Sequence, residues 1–295
     1  MIRSGEIQVN GRSARPSLRL SGGERVYVPS PRPPMTSLQP QDIPVEVLHR
    51  DDHLLVVNKP AGLVVHPAPG HPDGTLVNAV LHLLDPIREV LEGCTESERV
   101  RPGIVHRLDR GTSGVMVVAR TPQAHAHLAA QFAAHTTERR YLALVHGKVS
   151  ASGTVDAPLG RHSRDRIRFS VVDGGKHAVT HWRLLGRGHH GVAGDARGGL
   201  ISLLECRLET GRTHQIRVHL KHLGHPVVGD PLYAPKRQLP SAVLRETGMI
   251  DHQLLHARLL GFEHPATGER LCFTTSPPAD FASVLEHVGL ADTLS

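Results

Sequence analysis

The stretch His106–Gly114 reads HRLDRGTSG and lies between the apolar runs GIV and VMVVA. Its flanks predict a tight bend between two strands. Within the bend, Asp109 lies between Arg107 and Arg110, a charge pattern that a turn alone does not need. The carboxylate could accept hydrogen bonds from the backbone of the turn, pair with an arginine, or act as a nucleophile or base that a nearby cation keeps ionised. The local sequence leaves all three roles open.

A second stretch, HQIRVHL, supports a partner for this carboxylate. It reads as a strand whose alternation separates a polar face from an apolar one: Gln215, Arg217 and His219 against Ile216 and Val218. An arginine on the inner face of a strand needs an anion, because a lone buried cation is very costly. Asp109 is a candidate partner for Arg217, although its immediate neighbours Arg107 and Arg110 could compete for it.

Composition narrows the class of protein and of partner. The 295 residues are 39% hydrophobic and 21% charged, which is ordinary for a globular protein of one large domain or of a large and a small domain. The net charge of +6 favours a polyanionic partner, most often nucleic acid. No apolar run has the length of a membrane span or of a signal peptide core, so we expect no membrane association and a cytoplasmic location. The three cysteines are far apart, which suits a reducing compartment.

The chain divides into three predicted parts. Residues 1–28 contain two strand-like runs, IQV and RVYV, a turn at Asn10-Gly11, and five Arg against two Glu. Residues 29–41 form a proline-rich linker, and residues 42–295 form the main domain. Strands outnumber helices there and often follow one another directly, which predicts an α+β fold with a mixed, largely antiparallel sheet and flanking helices and loops.

Helix signals are clear at three places in the main domain. TLVNAVLHLL begins after Thr75 as N-cap, TPQAHAHLAAQFAAHT begins after Thr121, and FASVLEHVGLA predicts a short closing helix. The runs PVEVLHRDDHLLVVNKP, RRYLALVHGKV, AVTHWRLL and ISLLECRLET predict strands. Residues 186–199 are rich in glycine and predict an exposed loop.

Several motifs, in order along the chain, resemble one known family. HRLDRGTSG, TGRTHQIRVHL and GDPLY, together with VVNKPAGLVVHP and RRYLALVHGKV, are similar to the motifs of the RluA-type RNA pseudouridine synthases. The similarity spans about residues 43–280, including the run RHSRDRIRFSVVDGGKHAVTHW. The first 28 residues resemble the later half of an S4 RNA-binding domain, without the helices that open such a domain, so we expect a partial S4-like segment.

This resemblance implies a reaction and a site. Such an enzyme breaks the N1–C1′ bond of a uridine that has left its stack, turns the base and joins C5 to C1′; this isomerisation needs no cofactor. By resemblance, Asp109 is the catalytic carboxylate, adding at C6 of the base or acting at the ribose. Arg217 pairs with it, and Tyr141 stacks on the uracil and takes the proton from C5. The expected substrate-binding residues are His106 and Arg107, which flip the base and fill the gap, Leu208, which lines the pocket, and Arg110, Arg161, Arg164 and Arg166, which contact the RNA backbone.

Other functions remain as alternatives. A metal hydrolase is suggested by His214, His219, His222 and His225, but HExxH is absent and a strand would point the first two to opposite faces, so we expect no metal. A non-catalytic S4-type RNA-binding protein would have no use for Asp109, Tyr141 and Arg217. Within the family, the substrate could be transfer RNA. The S4-like segment favours 23S ribosomal RNA or the assembling large ribosomal subunit as the partner of a monomeric enzyme.

Overall fold

The computed structural model describes residues 6–28, 38–68, 70–84, 102–190, 199–235, 239, 243–244 and 250–294. Its contacts divide the chain into two compact units, residues 1–37 and 38–295. That boundary falls inside the predicted linker, of which residues 29–37 lie outside the described residues. Cys94 also lies outside them, whereas Cys206 and Cys272 are free thiols.

The N-terminal unit contains a small antiparallel sheet in the order β2-β1-β3. Its strands are β1 (Gln8–Val9), β2 (Arg12–Ser13) and β3 (Val26–Tyr27). The turn between β1 and β2 has φ angles of 50° at Asn10 and 77° at Gly11, which only such residues adopt readily. The predicted strands and turn are therefore confirmed.

The main unit is built on one nine-stranded sheet in the order β4-β5-β6-β13-β7-β12-β11-β8, with β14 paired to β13. Its strands are β4 (Glu46–Arg50), β5 (Leu54–Lys59), β6 (Ser113–Ala119), β7 (Glu138–His146), β8 (Ser152–Asp156), β11 (Val179–His190), β12 (Gly199–Leu208), β13 (Leu255–Glu263) and β14 (Arg270–Thr274). The strands β9 (Leu159–Arg161) and β10 (Phe169–Val171) form a separate hairpin. Within the sheet, β6 and β13 are parallel and the other pairs are antiparallel, which confirms the predicted α+β fold.

Among the described residues, four α-helices flank the sheet, and none of them is long and apolar enough to cross a membrane. They are α1 (Leu76–Leu83), α2 (Pro122–Ala133), α3 (Gln215–His222) and α4 (Ala279–His287), followed by a 3-10 turn at Ala291–Leu294. Thr121 begins α2 as predicted, since its hydroxyl accepts a hydrogen bond from the backbone N–H of Ala124 at 3.1 Å. Thr75 begins α1, and its N–H and hydroxyl both donate to Asn78.

Strand β7 shows how the layers are held together. Tyr141, Ala143 and Val145 face a core shared with α1 and α3. Leu142 and Leu144 face the opposite core, which is shared with α4. A third cluster packs α2 against β5, β6 and β13. The sheet is therefore covered on both faces, and the residues of β7 that share a face with Tyr141 point toward α3.

The prediction of a strand at HQIRVHL is wrong, because these residues form α3. All six residues from Gln215 to Leu220 are buried, so the helix has no exposed polar face. The alternation of polar and apolar residues therefore does not indicate a strand here. Ile216 and Leu220, four residues apart, share one core, while Val218 packs in another. The predicted common polar face is wrong too: the side chains of Gln215 and His219 both reach Thr180, and Arg217 points away from them toward Asp109.

Two further predictions need correction. Gly186–His190 continue β11 as a strand and are not a loop. The glycines there admit the C-terminal segment, because a Cβ at Gly188 would overlap the carbonyl oxygen of Val288. Residues 191–198 of that predicted loop lie outside the described residues. The run GIV before the active-site turn forms only an isolated bridge, from Ile104 to Val118.

Candidate active site

A cavity of about 480 Å³ opens between the turn before β6, the start of β7 and the N-terminal end of α3. It is lined by Val105, His106, Arg107, Leu108, Asp109, Thr112, Phe132, Ala133, His135, Arg139, Tyr141, Leu208, Gly211, Arg212, Thr213, His214, Gln215, Ile216, Arg217 and Leu255. Three of the sequence motifs, HRLDRGTSG, RRYLALVHGKV and TGRTHQIRVHL, thus contribute to one concave site.

The ion pair predicted between Asp109 and Arg217 is present. Arg217 Nη1 donates to Asp109 Oδ2 at 2.9 Å, across 108 positions of sequence. The same guanidinium donates two hydrogen bonds to the Asp230 carboxylate, from Nε at 2.7 Å and from Nη2 at 2.9 Å. Asp230 is itself fixed by the backbone N–H groups of Leu232 and Tyr233. One arginine therefore bridges a fully buried carboxylate and one that faces the cavity.

The charges around Asp109 keep it ionised. Burial raises the pKa of this carboxyl, but the charge that His214 carries when it is protonated, the charge of Arg217 and the hydrogen bond from Arg217 outweigh burial and leave the pKa below its ordinary value. Burial lowers the pKa of His214, so this ring is neutral at pH 7. Arg217 is then the permanent cation: burial lowers its pKa, yet its bonds to Asp230 and the charge of Asp109 leave the pKa raised.

A chain of hydrogen bonds fixes the second neighbour of Asp109. The backbone N–H of Phe169 donates to the Tyr233 hydroxyl at 2.9 Å, and the same hydroxyl shares a hydrogen bond with His214 Nδ1 at 2.8 Å. This bond orients the His214 ring so that its other nitrogen, Nε2, lies 3.9 Å from Asp109 Oδ1. This chain connects the β9-β10 hairpin to the carboxylate.

Lys59, at the end of β5, fixes the HRLDRGTSG turn through backbone carbonyl groups. Its side chain is fully buried, and Nζ donates to the carbonyls of Pro60, Leu63 and Arg110 at 2.8, 2.9 and 3.2 Å. Burial lowers the pKa of Lys59 to about 7, although the charge of Asp109 opposes this shift. The NKP motif thus ties β5 to the residue that follows Asp109.

Two glycines explain the end of the HRLDRGTSG turn. Gly114 has φ of 116°, and a Cβ there would overlap the backbone of Ala257 on β13. At Gly111 a Cβ would lie 2.7 Å from Gln253 Oε1 and 2.8 Å from His252 Cβ. Gln253 also donates to the Thr112 hydroxyl at 3.0 Å. The turn therefore packs closely on the segment that leads into β13.

The other predicted site residues divide into two groups. Tyr141, Leu208, His106 and Arg107 line the cavity, and Arg107 is exposed there. The His106 ring is engaged: Nε2 accepts a hydrogen bond from the N–H of Val117 at 3.1 Å, and the ring stacks on Phe132 at 4.4 Å. Burial, helped by the charge of Arg139, lowers the pKa of His106 to about 3, so the ring is neutral.

The remaining four predicted residues do not line the cavity. Arg110 is exposed and its Nε donates to the carbonyl of Gly62 at 3.1 Å. Arg161, Arg164 and Arg166 are exposed on β9 and the loop that follows it. Arg161 lies over the ring of Phe169 at 5.3 Å, and Phe169 in turn contacts His214 edge-on. This basic loop therefore adjoins the site through Phe169.

Sequence reasoning missed Lys59, Arg139, His214, Asp230 and Tyr233 as parts of the site. Four of them stand in the motifs NKP, RRYLAL and GDPLY, whereas the sequence suggested His214 only as a metal ligand. Within the described residues, no three His, Cys, Asp or Glu side chains form a group that could hold a metal ion. His214 and His219 lie at the N-cap and within α3, and not on opposite faces of a strand.

Comparison with known proteins agrees with these motifs. The sequence profile of the family described as RNA pseudouridylate synthase matches residues 53–222, more than half of the chain. The ribosomal large subunit pseudouridine synthase D of Xanthomonas campestris is 47% identical over 288 residues, which cover 96% of this chain and 81% of that protein. An RNA pseudouridine synthase of Bacillus subtilis is 40% identical over 97% of this chain and 87% of its own length.

A solved structure gives the same result at the level of the fold. Human RNA pseudouridylate synthase domain containing 1 superposes with a TM-score of 0.59 and 26% identity, over 81% of this chain and 85% of that one. Because a family profile and full-length relatives agree with the fold, the chain belongs to the RluA-type family of RNA pseudouridine synthases and is an isomerase that acts on RNA.

Proposed function

We propose that the protein converts uridine to pseudouridine in 23S ribosomal RNA, with Asp109 as its catalytic carboxylate. The observation that carries this proposal is the 2.9 Å ion pair between Asp109 and Arg217 at the wall of an open cavity. Addition at C6 of the base and action at the ribose both need an ionised carboxylate, and the guanidinium supplies that state in a partly desolvated site.

The other residues of the cavity have roles that suit the same chemistry. Tyr141 is buried in the cavity wall, on the face of β7 that points toward α3, where its ring can stack on a flipped uracil. Burial raises the pKa of Tyr141, so its hydroxyl would take the proton that C5 loses while it passes its own proton on. Leu208 supplies apolar lining. Arg107, exposed at the cavity, is available to occupy the gap that the flipped base leaves. His106 contributes as a neutral wall of the cavity.

The ribosomal substrate is supported by the names of relatives and by charge. Relatives named ribosomal large subunit pseudouridine synthase D are 47% and 41% identical over 96% of this chain. The first 28 residues would act as a partial S4-like contact to RNA, with five Arg against two Glu. We further propose that the enzyme acts as a monomer in the cytoplasm.

The decisive variant is Asp109→Asn, which keeps the size of the side chain and removes its charge. Conversion is measured as tritium release from a 23S rRNA transcript that carries uridine labelled at C5, because C5 loses its hydrogen when it bonds to C1′. We expect no release above background, with RNA affinity retained. Asp73→Asn, which changes an exposed carboxylate away from the cavity, should convert as the unmodified protein does. Full activity of Asp109→Asn would contradict the proposal.

The choice of substrate is tested in the cell. After deletion of the gene, carbodiimide-dependent stops of reverse transcription are mapped across ribosomal and transfer RNA. We expect stops to disappear from 23S ribosomal RNA. If stops disappear from transfer RNA alone, the substrate is transfer RNA and not 23S ribosomal RNA, and the role of Asp109 is unaffected.

A further inference from the structure

Arg139 is a buried cation that the proposed mechanism does not use. It lies on β7 two residues before Tyr141 and therefore on the same face of the strand. Only 7% of the residue is exposed. Its Nη2 donates to the carbonyl of Glu209 at 3.0 Å, and its Nε is buried without a hydrogen-bond partner among the residues that the structure describes.

The contrast with Arg217 shows what is missing. Arg217 is neutralised by two carboxylates, whereas no ion pair within the described parts of the chain includes Arg139. Its guanidinium has the ring of Phe132 at 5.9 Å, which offers only a weak attraction. Burial lowers the pKa of Arg139, and among the described residues only Tyr141 opposes this shift. Burying an unpaired charge is very costly, so a ligand that brings negative charge would relieve this cost.

The position of Arg139 indicates where that ligand comes from. The residue lines the active-site cavity and also a second cavity of about 550 Å³, which we call the outer groove. Arg140 and the exposed Arg207 line the outer groove as well. Its two carboxylates are already engaged, Glu138 by Arg140 at 2.6 Å and Glu209 by His181 at 2.6 Å. The groove therefore offers positive charge to a polyanion that passes beside the cavity.

We propose that Arg139 is an anion site, which binds a phosphodiester of the RNA strand where the target nucleotide turns from the outer groove into the active-site cavity. The inference rests on the proposed use of that cavity for the flipped uridine. A phosphodiester carries a full negative charge and matches the planar fork of a guanidinium. Such a contact sets the register of the strand without reading its sequence.

The test compares Arg139→Met and Arg139→Lys with Arg183→Met. Arg183 lies on β11, lines neither cavity and is 64% exposed, so its variant removes one positive charge elsewhere. Affinity for a 23S rRNA transcript is measured between 50 and 200 mM salt, in an Asp109→Asn background that prevents turnover. A bond to a charged group is worth tenfold or more in affinity, and each phosphate that the variant no longer binds flattens the slope of log K against log salt by roughly 0.7 to 1.

We expect Arg139→Met to bind about tenfold more weakly, with the flattened slope, while Arg139→Lys keeps the slope. We also expect Arg139→Met to melt no lower than the unmodified protein, because it removes an unpaired buried charge. Arg183→Met should change the affinity by less than about twofold.

Three results would overturn the assignment. The first is an Arg139→Met protein whose affinity and slope match those of Arg183→Met. The second is a lowered melting temperature with unchanged affinity, which would make the residue structural. The third is an unchanged slope with a slower conversion when Asp109 is present, which would place the guanidinium on the base. Full activity of Asp109→Asn would remove the proposed function, yet the binding comparison would remain readable by itself.

Discussion

Arg217 is the residue on which the electrostatics of the site depend. Its guanidinium meets Asp109 with one nitrogen and Asp230 with two. The buried carboxylate of Asp230 fixes the plane of the guanidinium, and the third nitrogen, Nη1, points toward Asp109 at the cavity. Asp109 is thus held in its charged form by a cation that cannot lose its proton at any pH at which the protein folds.

Tyr233 gives a test of how far orientation matters. Tyr233→Phe removes the hydroxyl that links Phe169 to His214, so the His214 ring loses the hydrogen bond that orients it beside Asp109. A hydrogen bond is worth about 1 kcal/mol, which corresponds to a roughly fivefold slower step. We expect that decrease in the single-turnover rate of tritium release, with RNA affinity unchanged. Tyr27→Phe, at an exposed tyrosine of β3, is the matched control, and equal rates for both would contradict the role of the chain.

His252 gives a prediction for pH. The hydrogen bond to Asp280 at 3.2 Å raises the pKa of His252 despite burial, and it lowers the pKa of Asp280. A raised histidine pKa stabilises the fold fully below about pH 6.5, and this stabilisation disappears as pH rises through the folded value. The lowered pKa of Asp280 stabilises the fold above about pH 4, and this stabilisation disappears as pH falls through the folded value. The pair therefore stabilises the fold most between these limits.

The corresponding variant is His252→Gln. Because the pair is partly exposed, we expect it to lower the free energy of unfolding by roughly 0.5 kcal/mol more at pH 5.5 than at pH 8.5. Urea unfolding at both values measures this difference. The double variant His252→Gln/Asp280→Asn should have the same free energy of unfolding at pH 5.5 as His252→Gln alone. Additive losses would show that the two side chains act separately.

At the scale of elements, the turn before β6 is fixed by its fit against β13. Gly114 and Gly174 both have positive φ, 116° and 73°, but only Gly114 lies against another backbone. Gly174→Ala should cost about 1 kcal/mol from backbone strain alone. Gly114→Ala adds an overlap with Ala257 and should cost about 3 kcal/mol or more. Urea unfolding of both variants measures the difference, and equal losses would show that the contact with β13 is unimportant.

The same elements show what sequence reasoning could reach. Helices α1 and α2 were predictable because a threonine N-cap stands before each, a local signal. Helix α3 was not, because it is buried on all sides and its pattern fits a strand as well as a helix. The Asp109–Arg217 pair survived this error, since a buried arginine needs an anion in either conformation. Lys59 and Tyr233 were missed because the contacts that connect them to the site, with the Arg110 carbonyl and a His214 ring nitrogen, span 51 and 19 residues, which no local pattern specifies.

At the scale of the whole molecule, the net charge of +6 and the exposed basic loop after β9 predict a salt-dependent affinity for RNA. The double variant Arg164→Gln/Arg166→Gln should weaken binding and flatten the slope of log K against log salt by roughly 0.7 to 1 for each phosphate that the loop no longer binds. Arg50→Gln/Arg183→Gln removes the same charge from exposed positions that line neither cavity. Matching slopes for the two double variants would show that the β9-β10 loop binds no phosphate.

The placement of β13 has a consequence for biosynthesis. This strand lies between β6 and β7 in the sheet, yet Leu255 follows Ser113 by 142 residues. At a translation rate of about 5 to 20 residues per second, β6 waits roughly seven to thirty seconds with one edge unpaired. Until β13 arrives, Gly114 has nothing to dock on, and the carboxylate turn lacks its support. We therefore expect a nascent chain to convert no uridine until β13 has been synthesised, even though its earlier basic segments can already contact RNA.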